Sequence, residues 1–123
     1  MATGNTPCGF AIPQVFPGSG RDSSVDMQFV RDFVQKAETL GYDSLWVQET
    51  ILSDFSILEP LTLLTYVAAI TSKLKLGTSV MLTTLRNPLQ LAKALSSLDQ
   101  MSGGRLIVGV GGGGHISGLC LAT

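Results

Sequence analysis

The polar residues best placed for chemistry stand at the ends of short apolar runs. Gln48-Glu49-Thr50 follows Ser44-Leu45-Trp46-Val47, and Thr78-Ser79 lies within the run Leu74–Met81. A carboxylate that directly follows a buried strand can hold a ligand or act as a base. Glu49 also has two plainer readings, a solvated loop carboxylate or a partner for Arg86. Arg86 could in turn reach an anionic ligand, or serve as an ordinary loop arginine. The segment Gly109-Val110-Gly111-Gly112-Gly113-Gly114 satisfies G-x-G-x-x-G after an apolar run, the fingerprint of a dinucleotide site. That fingerprint needs a helix opening on its last glycine and an acidic residue about 20 positions later. Only His115–Thr123 follow, without helical period or acid. Glycines there would equally make room for a ligand or a bend. His115 is the sole histidine, and no Ser, Cys or metal-ligand partner is spaced to work with it. Trp46 reads as core packing. No Ser-His-Asp set, phosphate-cradling loop or metal cluster is visible.

The elements that must position these residues alternate along the chain. Apolar runs at Cys8–Ile12, Ser44–Val47, Leu74–Met81 and Leu106–Val110 read as strands. Between the first two, Phe29, Val30, Phe33, Val34, Ala37 and Leu40 form a helical stripe. Ser23 or Ser24 is placed to cap its start, and Gly41 suits the left-handed position past its end. Pro60 suits a first helical turn, where its missing N–H would have no partner. The apolar residues from Leu61 to Ile70 cover most of that helix's circumference, which predicts burial on more than one side. Asn87-Pro88 caps a third helix carrying Leu91, Ala92, Leu95, Leu98 and Met101, and Gly103-Gly104 ends it.

Strand starts near positions 8, 44, 74 and 106 are separated by 36, 30 and 32 residues. Each interval holds one strand and one crossover helix, so the chain is an α/β repeat with parallel strands. Two architectures fit: an open doubly wound sheet, or part of a (βα)8 barrel, which takes about 250 residues when complete. Four strands with three crossover helices are roughly half of one.

Composition narrows the classes further. The 123 residues are 45% hydrophobic and 14% charged, with a net charge of -1, which excludes a disordered chain and any nucleic-acid footprint. So little charge predicts that part of the surface is covered by something else. Cys8 and Cys120 show neither a disulfide framework nor metal-ligand spacing and read as reduced thiols. Met1–Phe10 lacks a basic residue and a continuous apolar stretch, and no segment reaches the roughly 18 apolar residues of a membrane span. A soluble cytoplasmic protein is the expectation.

Leu40-Gly41-Tyr42-Asp43-Ser44-Leu45-Trp46-Val47-Gln48-Glu49, Leu58-Glu59-Pro60-Leu61-Thr62-Leu63-Leu64, Leu76-Gly77-Thr78-Ser79-Val80, Arg86-Asn87-Pro88 and Leu98-Asp99-Gln100-Met101-Ser102-Gly103-Gly104-Arg105-Leu106 occur in this order. Together they resemble the N-terminal half of the luciferase-like monooxygenases, flavin-dependent TIM-barrel oxidoreductases. The resemblance covers residues 9–113 of a single incomplete barrel domain, 1–123, and leaves 114–123 as a divergent tail. It implies a partial (βα)8 barrel that binds FMN or coenzyme F420 at the carboxyl ends of its strands. The implied chemistry is monooxygenation with reduced flavin and molecular oxygen, or hydride exchange with F420, on a small-molecule substrate. It also implies a bulge with a non-prolyl cis peptide at Ser79-Val80 beneath the flavin. The implied cofactor-binding residues are Glu49, Thr78, Ser79, Val80, Gly109 and Gly111, the last two letting the ring approach the backbone.

The sequence departs from the family in two places. Many F420-using relatives carry a histidine right after the acidic residue, where Thr50 stands here, and the tail from His115 lacks the usual acidic helical stretch. The 123 residues alone are therefore expected to be inactive. A second expectation is a catalytically silent half-barrel that self-associates or binds a partner through its unpaired edges.

Overall fold

The computed structural model describes residues 6–14, 24–51 and 55–113. Its elements follow in the order β1 (Gly9–Ala11), α1 (Met27–Thr39), β2 (Ser44–Val47), α2 (Pro60–Ile70), β3 (Lys75–Leu82), a single 3-10 turn (Thr83–Leu85), α3 (Pro88–Ser102) and β4 (Leu106–Gly111). The four strands form one parallel sheet in sequence order, β1-β2-β3-β4. That order decides between the two architectures. A doubly wound sheet reverses its strand order at a switch point, whereas one crossover after another in the same direction winds a barrel wall. The chain is a partial (βα)8 barrel.

β1 is shorter than the run that predicts it, because only Gly9, Phe10 and Ala11 pair with Ser44, Leu45 and Trp46 in register. Two backbone bonds extend the ladder at either end, from Asp43 N–H to the Cys8 carbonyl at 2.9 Å and from Ile12 N–H to the Trp46 carbonyl at 2.8 Å.

Alternation along the strands sorts the two faces. Leu45, Val47, Leu76 and Met81 are buried beneath the helices, together with Val30, Val34 and Ala37 of α1, Leu63, Leu64 and Val67 of α2, and Leu98 of α3. Helix α2 buries Pro60, Leu61, Leu63, Leu64, Val67 and Ala68 on a single broad face, while Thr62 and Ala69 opposite are exposed. The expected burial on more than one side is thus corrected to burial on one, because the sheet and the neighbouring helices meet only that side. On the opposite, barrel-inner face the half-buried Trp46 ring lies across Gly9 and Gly77, where any added Cβ would overlap it. Its indole N–H donates to the Ser44 hydroxyl at 2.9 Å. Trp46 is thus packed against its own sheet.

The helix ends follow local chemistry with one correction. Asp26, not Ser23 or Ser24, caps α1: its carboxylate accepts the Phe29 N–H at 3.0 Å, while Ser24 lies before the cap and Ser23 lies outside the described residues. Gly41 and Gly103 take positive φ past the ends of α1 and α3, as the sequence predicts. Asn87 accepts the N–H groups of Leu89 and Gln90 at 3.0 and 3.2 Å, with Pro88 beginning α3.

At the amino edge of the sheet two charged side chains tie elements far apart in sequence. Glu38 accepts the N–H groups of Ser72, Lys73 and Leu74 at 2.8, 2.6 and 3.3 Å. Arg105 donates to the carbonyls of Ala68 and Thr71 at the end of α2, to Leu74 and Ser102, and to the Thr71 hydroxyl. Helix α2 has no basic residue in its own last turn. Arg105 supplies that charge from the start of β4.

Candidate functional site

Pairing between β3 and β4 is regular from Leu76↔Leu106 to Thr78↔Val108 and resumes at Met81↔Val110. Two residues of β3, Ser79 and Val80, therefore face one residue of β4, Gly109, which is a β-bulge. The Ser79-Val80 peptide is cis. Between the buried Thr78 and Met81, Val80 is 42% exposed and Ser79 is also exposed. An apolar side chain in the open, inside an otherwise buried strand, makes a shelf at the carboxyl end of the sheet.

The neighbouring residues hold this shelf. Thr78 is buried, and its hydroxyl takes the place of the interrupted ladder: it donates to the Gly109 carbonyl at 2.9 Å and accepts the Gly109 N–H at 3.0 Å. A Cβ on Gly109 would overlap the Thr78 carbonyl, and one on Gly111 would come within 2.6 Å of the Val80 side chain. The space beside both glycines is thus taken by the chain's own bulge, a closer reason for their small size than room for a ligand. Gly112, by contrast, faces open space.

Glu49 leaves the end of β2 with its side chain only 2% exposed, turned away from its exposed neighbours Gln48 and Thr50. One carboxylate oxygen accepts the Leu82 N–H at 2.5 Å, and the other is paired with Nη2 of Arg86. The same Nη2 reaches Glu59 at 2.8 Å. Glu59 is the N-cap of α2, accepting the N–H groups of Leu61 and Thr62 at 3.1 and 2.7 Å. Of the alternatives open for Glu49, the structure brings it to Arg86.

Burial works against ionisation of Glu59, but hydrogen bonds from Thr62, Leu61 and Arg86 outweigh it and hold its carboxyl below the ordinary value. Burial likewise disfavours the Arg86 cation, and its bonds to Glu49 and Glu59 more than restore it. Among the described residues, Arg86 Nε is buried without a hydrogen-bond partner. Neither Glu59's role nor the Arg86 bridge carries a local sequence signal beyond the residue before Pro60, since the bridged groups lie 37 and 27 positions from Arg86.

Beside the shelf, a cleft of about 200 Å³ opens at the carboxyl ends of β1 and β2, among Ala11, Gln14, Trp46, Gln48, Thr50 and Ile57. Gln14 closes one side by accepting the Leu58 N–H at 2.7 Å. Lys73 and Lys75 are exposed at the far edge. Cys8 is exposed. Gly114, His115 and Cys120 lie outside the described residues, so the fingerprint's last glycine and the lone histidine have no place in this geometry. Among the described residues no cluster of His, Cys, Asp and Glu could hold a metal ion, and no helix is long and apolar enough to cross a membrane.

Comparison with known proteins meets the chain at this sheet. An F420-dependent glucose-6-phosphate dehydrogenase of Kineococcus radiotolerans is 40% identical over 87 residues, which is 67% of this chain and 26% of that protein. The coenzyme F420-dependent tetrahydromethanopterin reductase structure from Methanopyrus kandleri aligns with a TM-score of 0.64 and 28% identity, over 86% of this chain and 27% of its own. The FMN complex of the oxygenating constituent of 3,6-diketocamphane monooxygenase from Pseudomonas putida aligns with a TM-score of 0.72 over 90% of this chain and 30% of its own. At 24% identity that last likeness speaks for the fold. The chain spans about a quarter of the length of the curated relatives it matches. The family model for luciferase-like monooxygenases matches residues 6–116, nearly the whole chain, and the chain belongs to that family.

Proposed function

We propose that this chain supplies the first half of the barrel of a cytoplasmic flavin- or F420-dependent oxidoreductase acting on a small molecule. The observation that carries the reading is the Ser79-Val80 bulge, an exposed apolar shelf at the strand ends of a chain in this family. The residues present fit a planar ring there. Val80 offers an apolar surface beside Gly111, and Thr78 with Gly109 fixes the bulge from behind. Bound FMN or F420 would supply the redox chemistry, reduced flavin with molecular oxygen or hydride exchange with F420. The names of the F420-dependent relatives support F420, and FMN is the choice that the luciferase-like monooxygenase family leaves beside it.

Of the six residues expected around the cofactor, Ser79 and Val80 would meet the ring. Thr78, Gly109 and Gly111 would shape the shelf, and Glu49 would stand behind it. Both Glu49 carboxylate oxygens are engaged, by the Leu82 N–H and by Arg86, which assigns Glu49 a holding role. Proton movement is assigned to residues beyond this set. Thr50 is exposed at the cleft, where its hydroxyl can orient a substrate but cannot replace an imidazole in proton transfer.

Titration of the full-length gene product with FMN and with F420, followed by absorbance and fluorescence, tests the reading. Saturable binding of one of them is the expected result, and binding of neither rejects it. The exposed β4 residues Val108 and Val110 favour a second reading, a silent half-barrel that associates with another copy. It predicts association without any flavin binding.

A further inference from the structure

Three charged groups meet where β2 and β3 end, and none of them lies on the shelf itself. Leu82, whose N–H is held by Glu49, is two residues past Val80 on the strand leaving the bulge. Arg86 immediately precedes Asn87, the cap of α3, and Glu59 is the cap of α2. One guanidinium therefore connects the end of β2, through Glu49, with the starts of both following helices. Removing a carboxylate from water is costly unless it is paired and hydrogen-bonded, and Glu49 is both. Nη2 serves both carboxylates, while the buried Nε finds no partner among the described residues.

We infer that Glu49 and Arg86 are positioning residues, a charge clamp that fixes β3 just beyond the Ser79-Val80 shelf and so sets the affinity for a ring resting on it. The clamp deepens the flavin reading above and rests on it for the identity of the ring. Its energetic order follows from burial. The Glu49 arm is sealed from solvent, so losing it frees Leu82. The Glu59 side chain is 42% exposed, so its arm is the weaker one.

The test uses the full-length gene product with FMN and F420 as probes, and amide exchange as a readout independent of flavin. Glu49→Ala is expected to weaken binding of the preferred cofactor by about tenfold or more and to speed exchange at Leu82. Glu49→Gln keeps one acceptor but no charge and is expected to lose about threefold. Glu59→Gln should fall below that. Glu38→Gln, at the opposite edge of the sheet, should leave affinity and Leu82 exchange unchanged while speeding exchange at Ser72–Leu74. Arg86→Lys, which keeps a cation but only a point charge, is expected between the unsubstituted protein and Arg86→Met. This pair carries the test if Glu49→Ala does not fold.

Unchanged exchange at Leu82 in the Glu49 and Arg86 variants, with flavin binding intact, overturns the clamp and leaves the flavin reading standing. Binding of neither probe by the unsubstituted protein rejects the flavin reading. The clamp is then decided by exchange at Leu82 alone, faster exchange supporting it and unchanged exchange overturning it.

Discussion

Thr78 holds the bulge by a pair of hydrogen bonds that one hydroxyl makes to one residue, Gly109. In a site this buried, removing the hydroxyl leaves a backbone N–H and a carbonyl without partners. Thr78→Val keeps the shape and is expected to cost about 2 kcal/mol, whereas Thr78→Ser should cost less than half of that. Urea denaturation of the two variants measures the difference, and equal losses would show that the methyl group matters as much as the hydroxyl. Gly109 and Gly112 make a second matched pair. A methyl group on Gly109 meets the Thr78 carbonyl oxygen, which cannot swing aside, while one on Gly112 meets nothing within 4 Å. Gly109→Ala should cost about 2 kcal/mol or more and Gly112→Ala less than about 0.5 kcal/mol. The sequence marks these glycines as special because both belong to the glycine-rich run Gly109-Val110-Gly111-Gly112-Gly113-Gly114. It does not show what each of them faces, since the Thr78 partner is 31 positions away.

At the scale of elements, starts and stops are mostly local matters, and most were legible for that reason. Pro60, Asn87-Pro88, Gly41 and Gly103 each act within one turn of their own helix. The miss at α1 is of the same kind. Ser23, Ser24 and Asp26 all have capping side chains, and only the register of the first turn selects Asp26, three residues before Phe29. Glu38 and Arg105 were not legible at all, because each serves groups more than 30 positions away. Their energetics are testable. Burial pushes the Glu38 carboxyl up, but the three N–H groups of Lys73, Ser72 and Leu74, with the Arg105 charge, bring it below the ordinary value. A carboxyl lowered by folding adds stability above its unfolded-state pKa and loses it as pH falls through the folded one. Glu38→Gln should therefore cost about 1 kcal/mol at neutral pH, and its gap to the unsubstituted protein should close below about pH 4. A gap that persists in acid would mean that shape, not charge, matters at this position. Arg105→Met, which strips the end of α2 of its donors, should cost about 2–3 kcal/mol, and Lys at this position should recover little because it lacks the guanidinium fork.

At the scale of the molecule, spacing alone revealed parallel βα units, but not whether they wind in one direction or two. The strand order settles that, and it also fixes what remains open. β1 and β4 each pair on one side only among the described residues. Phe10 at 45%, Val108 at 38% and Val110 at 60% exposure are large apolar residues on these two edge strands. On β1 the aromatic rings of Phe33 and Tyr42 pack edge-on against Phe10, so that edge is partly covered from within. Among the described residues nothing comparable covers Val110, and a parallel strand with an apolar outer face is stable only where another layer lies on it. The low charge of the sequence has its structural counterpart here. The 123-residue polypeptide expressed by itself should therefore associate through β4, with a mass by light scattering that rises with concentration. Val110→Lys places a charge where pairing would bury it. It should restore a monomer while leaving the free energy of unfolding within about 0.5 kcal/mol, because Val110 is not part of the buried core. A monodisperse monomer without the substitution would mean that β4 is covered by some other part of the chain. Association that survives the substitution would move the contact to β1 and the Phe10 side of the sheet.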